Sequence, residues 1–138
     1  MSWMFYACTN LKELEVSNWN TANVTDMSWM FAYCTMLESL DGAENWDLSN
    51  VTNMSYLFRD CKNLSIFDVI SWRLPKVTNM CYAFYNCDSF DEILYVRDWD
   101  LSECVDIAYM FAGCTNLGDV DGCYGWHSAK VKNMTGLF

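Results

Sequence analysis

Apolar and polar residues follow one pattern that returns every 26 or 27 positions along the chain. In each return, an apolar residue is followed by others three, four and seven positions later, as in Met27, Met30, Phe31 and Cys34. These returns, here called phrases, begin at Met1, Met27, Met54, Met80, Ile107 and Met134. A fixed period of this length predicts a stack of small repeats and not a globular domain with a pocket.

Three columns of identical residues keep this phase independently. The phenylalanine column contains Phe5, Phe31, Phe58, Phe84, Phe111 and Phe138. The cysteine column contains Cys8, Cys34, Cys61, Cys87 and Cys114. The tryptophan column contains Trp19, Trp46, Trp72, Trp99 and Trp126. Because the strongly repeated positions are apolar, the pattern mainly specifies a buried interior.

The spacing within a phrase places its apolar residues on one face of a short helix. An Asp or Asn precedes each phrase from the second onward, as is typical of a helix N-cap; these residues are Asp26, Asn53, Asn79, Asp106 and Asn133. Farther along, Leu14 and Val16 flank a polar residue, and this period of two predicts a short strand. The sequence therefore predicts an α/β fold with a short helix and a short parallel strand in each coil, with strands about 4.8 Å apart.

We predict a single array over residues 1–138 with repeats at 1–26, 27–53, 54–79, 80–106, 107–133 and a partial repeat at 134–138. Both ends are ordinary members of the repeat, without the charged or proline residues that shield an open edge. We therefore expect the array to continue beyond both ends, covalently or by stacking of copies. Candidates for end-to-end contacts are Met1, Met4, Phe5, Met134, Leu137 and Phe138.

One full repeat, residues 37–61, reads Leu-x-x-Leu-Asp-x-x-x-x-Trp-Asp-Leu-Ser-Asn-Val-Thr-Asn-Met-Ser-Tyr-Leu-Phe-x-x-Cys. This phrase resembles the 26-residue repeat of BspA-like leucine-rich-repeat surface proteins, and the resemblance covers the whole chain. It implies a right-handed leucine-rich-repeat-like solenoid on a secreted or surface-displayed protein of bacteria or microbial eukaryotes, used for adhesion or as a structural element. Residues 104–108 and 126–130 depart from the pattern. A fold analogy of this kind does not identify a ligand.

Composition excludes several classes of protein. The chain is 53% hydrophobic and 17% aromatic, which is ample for a core and argues against disorder. Its 8 basic and 18 acidic residues give a net charge of −10, which repels a phosphate backbone, so we expect no nucleic-acid partner. It has no apolar run of about 18 residues and no signal-peptide order at its start, so we expect no transmembrane segment and any export signal to lie outside it.

An acidic stripe is predicted beside the strands, with Tyr95 interrupting it; its members are Glu15, Asp41, Asp68 and Asp121. The plainer interpretation is a row of solvated acids on an exposed strand face. The alternative is that the stripe binds a basic partner or Ca²⁺, because carboxylates on neighbouring rungs repel each other unless a cation intervenes. No other cofactor is expected.

The cysteine column is predicted to be a ladder of small buried residues with free thiols. Disulfides between neighbouring rungs are disfavoured because parallel side chains rarely provide the required torsion angle. A metal site is also disfavoured, since the chain has one histidine and no Cys-x-x-Cys pair. Cys104 replaces a core valine, whereas Cys81 and Cys123 are predicted to be exposed.

Catalytic signatures are missing from the sequence. His127, the only histidine, occupies a variable column and is predicted to be a surface residue. The chain has no glycine-rich phosphate loop, paired-carboxylate signature or nucleophile elbow. We therefore expect no enzymatic activity.

Asn-x-Ser/Thr sequons would be candidate glycan acceptors in a eukaryotic secretory pathway. They begin at Asn23, Asn50, Asn53, Asn63 and Asn133. Two of them, Asn53 and Asn133, also occupy the predicted N-cap position, which explains their presence without a glycan.

The function expected from these patterns is that of a non-enzymatic extracellular or cell-surface protein acting in adhesion or protein recognition. Its partner would be a protein, a glycan or further copies of itself. The alternative is a structural subunit of an extracellular filament, assembled by end-to-end stacking. A stripe of aromatic residues occupies the third position of the phrases, and we expect these rings to pack rung on rung, half-buried; it contains Trp3, Trp29, Tyr56, Tyr82 and Tyr109.

Overall fold

The computed structural model of the protein describes residues 1–65, 72–90, 96–97, 99–118 and 120–138. Regular secondary structure in these ranges is short. Strands β1 (Glu13–Glu15) and β2 (Ser39–Asp41) pair in parallel, with Leu14 opposite Leu40. Two 3₁₀ helices span Ala43–Asn45 and Asp121–Gly125. Within the described residues, no helix is both long and apolar enough to cross a membrane.

The phrases form β-turns and not helices. In segment 27–34, the N–H of Met30 donates to the carbonyl of Met27 at 3.3 Å, and that of Cys34 donates to Phe31 at 3.0 Å. Trp29, in the first of these turns, has a left-handed φ of 60°. The same bond from the cysteine column to the phenylalanine column recurs in all five full phrases. A left-handed residue at the third position of a turn is the signature of a type II turn and is incompatible with an α-helix.

The predicted fold class is therefore wrong. Among the described residues no helix reaches seven residues, and β1 and β2 are the only two strands. The chain is not a right-handed leucine-rich-repeat-like solenoid with a helix and a strand in each repeat. What the described residues form is a stack of turn-rich coils joined by hydrogen bonds.

Hydrogen bonding between coils explains why the helix does not form. Trp29 and Phe31 donate their N–H groups to the carbonyls of Ser55 and Leu57 in the next coil, each at 3.0 Å. The N–H of Met30, between them, closes a turn within its own coil. An α-helix beginning at Met27 would use the N–H groups of Met30 and Phe31 internally, and the coils would lose the bond from Phe31 that joins them. Successive turns also bring the apolar residues of a phrase to one side, so the spacing alone could not distinguish them from a helix.

The residues predicted as N-caps do supply side-chain acceptors, but the element that follows is a turn. Asp26 Oδ1 accepts from the N–H of Ser28 at 2.8 Å, and Asn53 Oδ1 accepts from that of Ser55 at 3.1 Å. The equivalent bonds are made by Asn79, Asp106 and Asn133. This is the Asx-turn, in which Asp or Asn bonds the backbone two residues on. The same residues pair in parallel from coil to coil as isolated bridges.

The core consists of ladders of like residues that run along the stack. Members of the phenylalanine column stack with centroids 5.2–6.2 Å apart. Trp19, Trp46, Trp72 and Trp99 form a second ladder at 6.0–6.2 Å. Fully burying one such side chain stabilises the fold by about 1.5–3 kcal/mol. Each coil therefore depends on its neighbours for most of its buried contacts.

All eight cysteines are free thiols, which was predicted for the five members of the cysteine column. The four inner members of the column are buried, and each Sγ lies 3.1–3.2 Å from a phenylalanine carbonyl of the preceding coil. Burial raises the pKa of Cys34 and Cys114 to about 11. Cys8, in the first phrase, is exposed, so the prediction that the whole column is buried is wrong at this position.

The three cysteines outside the column divide differently from the prediction. Cys104 is buried, as expected for a residue that replaces a core valine. Cys81 and Cys123 are half-buried, so the prediction that they are exposed is wrong. Burial raises the pKa of Cys123 to about 11. Cys123 lies in the 3₁₀ helix Asp121–Gly125, which packs it against the core.

Candidate recognition face

The outward side of the turns carries a band of aromatic side chains, here called the aromatic face. It comprises Trp3, Tyr6, Trp29, Tyr33, Tyr56, Arg59, Asp60, Tyr82, Tyr85, Asn86 and Tyr109. These residues occupy the third, sixth and seventh positions of the five full phrases. Arg59 and Asp60 are the only charged residues at those positions, although the chain has 8 basic and 18 acidic residues. The face is therefore rich in aromatic rings and poor in charge.

Left-handed turn residues support this face. Trp29, Tyr56, Tyr82 and Tyr109 have φ between 55° and 60°. This conformation costs a non-glycine residue roughly 1–2 kcal/mol. The contacts made by the rings must offset that cost in every coil. In the sixth phrase Gly136 takes the third position with φ 56°, and a Cβ there would lie 2.6 Å from a carbon of the Tyr109 ring.

Rings at the third position stack from coil to coil. Trp29 lies 4.8 Å from Trp3 and 4.0 Å from Tyr56, measured between ring centroids. Tyr82 lies 4.9 Å from Tyr56 and 4.8 Å from Tyr109. Such pairs contribute about 0.5–1.5 kcal/mol each beyond the area they bury. The prediction that these aromatics pack rung on rung is confirmed, and four of the five are half-buried as predicted, whereas Trp3 is 51% exposed.

The stacking determines which part of each ring meets solvent. Trp29, Tyr56 and Tyr82 have a ring against both faces and are half-buried, so their exposed part is the rim. The rim of an aromatic ring carries the positive part of its quadrupole. Burial raises the pKa of Tyr56 and of Tyr82 above that of a free phenol. The phenols are therefore protonated at neutral pH and can donate hydrogen bonds.

Arg59 lies at the centre of the aromatic face. Its Cζ is 5.0–5.6 Å from the ring centroids of Tyr33, Tyr56, Tyr82 and Tyr85. A guanidinium over the open face of a ring and within about 6 Å of its centroid is attracted by roughly 0.5–1 kcal/mol at exposed sites. This attraction applies to Tyr33 and Tyr85, since stacked rings cover both faces of Tyr56 and Tyr82. Contacts with four rings hold the Arg59 side chain in place without an extended salt-bridge network.

Asp60 and Asn86 orient the arginine. Arg59 Nε lies 3.1 Å from Asp60 Oδ2, and Asn86 Nδ2 donates to Asp60 Oδ1 at 2.8 Å. Burial is the largest single influence and acts to lower the pKa of Arg59, but the hydrogen bond to Asp60 and the electrostatic interactions with Tyr33, Asp60 and Tyr56 together outweigh it, so the pKa is raised. Arg59 is therefore a permanent cation, fixed on one edge by its neighbour.

The repeat pattern predicted the third-position stripe but not this arginine-centred cluster. Tyr33 belongs to the seventh position of its phrase, whereas Arg59 and Tyr85 belong to the sixth. Only the stacking of the coils brings these columns around one guanidinium. The available signal was that Arg59 is the single cation in these outward columns.

The acidic stripe is only partly assembled. Glu15 and Asp41 lie opposite each other on β1 and β2, and both are exposed. Glu15 Oε1 accepts from the N–H of Ser17 at 2.8 Å, and hydrogen bonds with Ser17 lower the pKa of Glu15. Asp121 begins a 3₁₀ helix instead of flanking a strand. Asp68, like Tyr95, lies outside the described residues.

Residues that could bind metal do not converge in the described ranges: they contain no group of three or more His, Cys, Asp or Glu residues able to hold an ion. Binding of Ca²⁺ or of a basic partner by the stripe stays a prediction.

His127 is exposed, as predicted. It borders a cavity of about 370 Å³ together with Arg97, Trp99, Asp100 and Gly125. Hydrogen bonds with the backbone N–H and the side chain of Ser102 hold the pKa of Asp100 below its ordinary value. The nearby His127 lowers this pKa by a smaller amount. The cavity is open to solvent and mixes opposite charges, so it does not define a chemistry.

The sequon asparagines differ in what their side chains do. Asn23 and Asn63 are exposed and make no side-chain hydrogen bond within the described residues. Asn50 donates from Nδ2 to a carbonyl of the preceding coil at 2.9 Å. Asn53 and Asn133 accept in Asx-turns. A glycan is attached at Nδ2, and that atom is engaged in Asn50 and in Asn133, where it donates to Asp106 Oδ2 at 3.2 Å. The Nδ2 atoms of Asn23, Asn53 and Asn63 donate to no described residue.

The residues predicted to make end-to-end contacts are only partly exposed. Met4, Met134 and Phe138 are more than half exposed, at 56%, 53% and 53%. The other three, which pack partly against the core, are Met1, Phe5 and Leu137. Contact between ends stays a prediction.

Comparison with known proteins identifies a family. The family model described as "Mycoplasma protein of unknown function, DUF285" matches residues 1–120 and, a second time, residues 62–138. No curated protein and no solved structure matches the chain. The resemblance to BspA-like proteins stays a prediction beside this match. Because the model spans most of the chain, the protein belongs to the DUF285 family.

Proposed function

We propose that the protein is a non-enzymatic cell-surface module for adhesion or protein recognition, and that the aromatic face contacts the partner. The observation that carries this proposal is the composition of the face. Trp, Tyr and Arg are the residues enriched at the centres of protein interfaces, where other charged residues are depleted. The outward turn positions hold eight aromatic rings and a single Arg–Asp pair, in a chain of net charge −10.

Rigidity of the face supports the same function. The rings are stacked, and the turns that carry them are hydrogen-bonded to the next coil, for example from Tyr56 N to Cys81 O at 3.0 Å. Binding through such side chains loses little conformational entropy because they are already ordered. A stack of coils also presents one continuous surface, which suits a partner of macromolecular size.

A protein partner fits this surface better than a neutral glycan. Sugars bind aromatic side chains chiefly across open ring faces, and the inner rings of the stack have both faces covered. The rims and phenolic hydroxyls that remain suit hydrogen bonds and edge contacts with protein groups. Location at the cell surface is supported by the resemblance to BspA-like surface proteins. The net charge of −10 supports the absence of a nucleic-acid partner.

Adhesion by coated beads tests the proposal. Beads carrying the full chain would be applied to epithelial monolayers, and the wild type would be compared with the double variant Tyr82→Ser/Tyr85→Ser. We expect the double variant to lose most of the bound beads. The matched control is Tyr124→Ser, because Tyr124 is 86% exposed and lies outside the aromatic face. Equal binding by all three proteins would contradict the proposal, provided that each melts cooperatively.

The alternative role, a structural subunit that stacks end to end, makes a different prediction. A stacking subunit scatters more light per unit mass as its concentration rises, and Tyr82→Ser leaves that behaviour unchanged. A recognition module remains monomeric over the same range. Light scattering on the two proteins therefore distinguishes the roles.

A further inference from the structure

The terminal nitrogens of Arg59 lack partners in the described part of the chain. Its Nε is bonded to Asp60, but neither Nη makes a hydrogen bond to any described residue. The Arg59 side chain is 25% exposed, so part of it can be reached from solvent. A guanidinium edge with two parallel N–H groups matches a carboxylate in a bidentate pair.

The surroundings of Arg59 favour an anion. The rings of Tyr56 and Tyr82 turn their positive rims outward beside it, and their protonated phenols are hydrogen-bond donors. Asp60, the nearest acid, has both oxygens engaged, one by Arg59 Nε and the other by Asn86. The centre of the face is thus a cluster of donors in a chain that is otherwise acidic.

We infer that Arg59 is the docking point for a single acidic side chain of a protein partner, Asp or Glu, received by the guanidinium and the surrounding tyrosines. This inference rests on the proposed function and identifies the chemistry that the aromatic face recognises. A buried, bidentate Arg–carboxylate pair at the centre of an interface contributes specificity, because a partner without the acid leaves the guanidinium desolvated and unpaired.

Charge decides between possible sources of the carboxylate. A densely anionic partner, such as an anionic membrane or a sulfated polymer, meets a chain of net charge −10 and is repelled. One carboxylate on a largely neutral protein surface avoids that repulsion and still pairs with Arg59. The covered ring faces disfavour an acidic sugar, which would need stacking contacts as well.

Peptide selection tests the inference. A phage library of random dodecapeptides would be selected on the immobilised full chain, and enriched peptides would be synthesised with a fluorescent label. Their Kd values would be measured by anisotropy against the wild type, Arg59→Gln, Arg59→Lys and Lys130→Gln. Lys130 is the matched control, since it pairs with Glu103 at 2.6 Å outside the aromatic face.

We expect enriched peptides to share an Asp or Glu whose conversion to the amide weakens binding to the wild type about tenfold. The same conversion should have less than about a twofold effect on Arg59→Gln, because the coupled partner is missing. Arg59→Lys should bind with intermediate affinity, since an ammonium keeps the charge but lacks the planar fork. Lys130→Gln should match the wild type.

Each other outcome overturns a defined part of the argument. Peptides that bind the face without an acidic residue, or that bind Arg59→Gln equally well, refute the carboxylate inference and leave the proposed function standing. If no peptide is enriched more strongly on the wild type than on the Tyr82→Ser variant, the proposed function itself is refuted. Binding of 3′-sialyllactose that is lost in Arg59→Gln would assign the site to an anionic glycan and refute the protein source. If Arg59→Gln fails to melt cooperatively, Arg59→Lys and the amide peptides still decide the outcome.

Discussion

The side of each coil formed by the phrases, here called the turn side, is more regular than the side that contains β1 and β2, here called the strand side. On the turn side every full phrase repeats the bond from the cysteine column to the phenylalanine column, and like residues stack from coil to coil. On the strand side the described residues vary: β1 pairs with β2, and β2 is followed by a 3₁₀ helix at Ala43–Asn45. In the fifth coil a longer 3₁₀ helix begins at Asp121, the counterpart of Asp41 in β2. The turn side therefore holds the stack together and carries the recognition face, whereas the strand side tolerates individual sequences.

Removing one ring from the phenylalanine ladder should have the largest effect. Phe58 is fully buried and stacks on Phe31 and Phe84, so Phe58→Ala should destabilise the fold by about 3–5 kcal/mol. Leu14→Ala, on the strand side, removes a half-buried residue of β1 and should cost about 1–2 kcal/mol. Urea unfolding of both variants measures the difference. Equal losses would show that the two sides contribute alike.

Alkaline pH should lower the stability of the fold, because buried cysteines on the turn side resist losing their protons. Burial raises the pKa of Cys34 and Cys114 from 9.0 to about 11, so the folded state holds these protons where the unfolded state releases them. Their stabilisation is complete below about pH 9 and is lost as the pH rises through about 11. The melting temperature should therefore fall across that window.

The double variant Cys34→Ala/Cys114→Ala separates the thiols from other titrating groups. Its melting temperature should fall less steeply over the same window than that of the wild type. A parallel decline of the two proteins would show that tyrosines and lysines, and not these thiols, cause the alkaline loss.

Removing one Asx-turn should have a smaller effect. Asn53→Ala deletes the acceptor for the N–H of Ser55, which is buried, and should cost about 1 kcal/mol. Asn63→Ala is the control, because Asn63 is exposed and its change should stay within about 0.5 kcal/mol. Urea midpoints compare the two. A negligible effect at Asn53 would mean that water replaces the lost acceptor.

The contrast between the turn side and the strand side also explains how much of the fold could be predicted from the sequence. The columns identified the interior correctly: Phe58 and Cys61 are fully buried, as their phase required. The helix was wrong because the decisive bonds join residues about 26 positions apart, such as Trp29 N to Ser55 O, and no local propensity contains them. Local capping chemistry, in contrast, was visible at Asp26 and belonged to a turn.

The aromatic face could likewise be predicted only in part. The stacked rings at the third position could be read from one column, because a column is a spatial neighbourhood in a stack. The environment of Arg59 could not, since Tyr33 reaches it from a different column of the preceding coil. Contacts between columns depend on the exact path of the turn, which only the structure provides.

The smallest predicted effect on stability comes from changing an alanine to glycine, which should stabilise the protein at one position and destabilise it at another. Ala7 is exposed on the turn side with φ 57°, a conformation that costs alanine roughly 1–2 kcal/mol and glycine almost nothing. Glycine also makes the unfolded chain more disordered, at a cost of about 0.5–1 kcal/mol, so Ala7→Gly should stabilise the protein by about 0.5 kcal/mol. Ala129 is exposed and lacks a positive φ, so Ala129→Gly meets only the entropic cost and should destabilise by about 0.5–1 kcal/mol. Urea midpoints that move in opposite directions would show that the turn side stores backbone strain in its left-handed residues, whereas a loss in both variants would mean that the entropic cost of glycine exceeds the strain at Ala7.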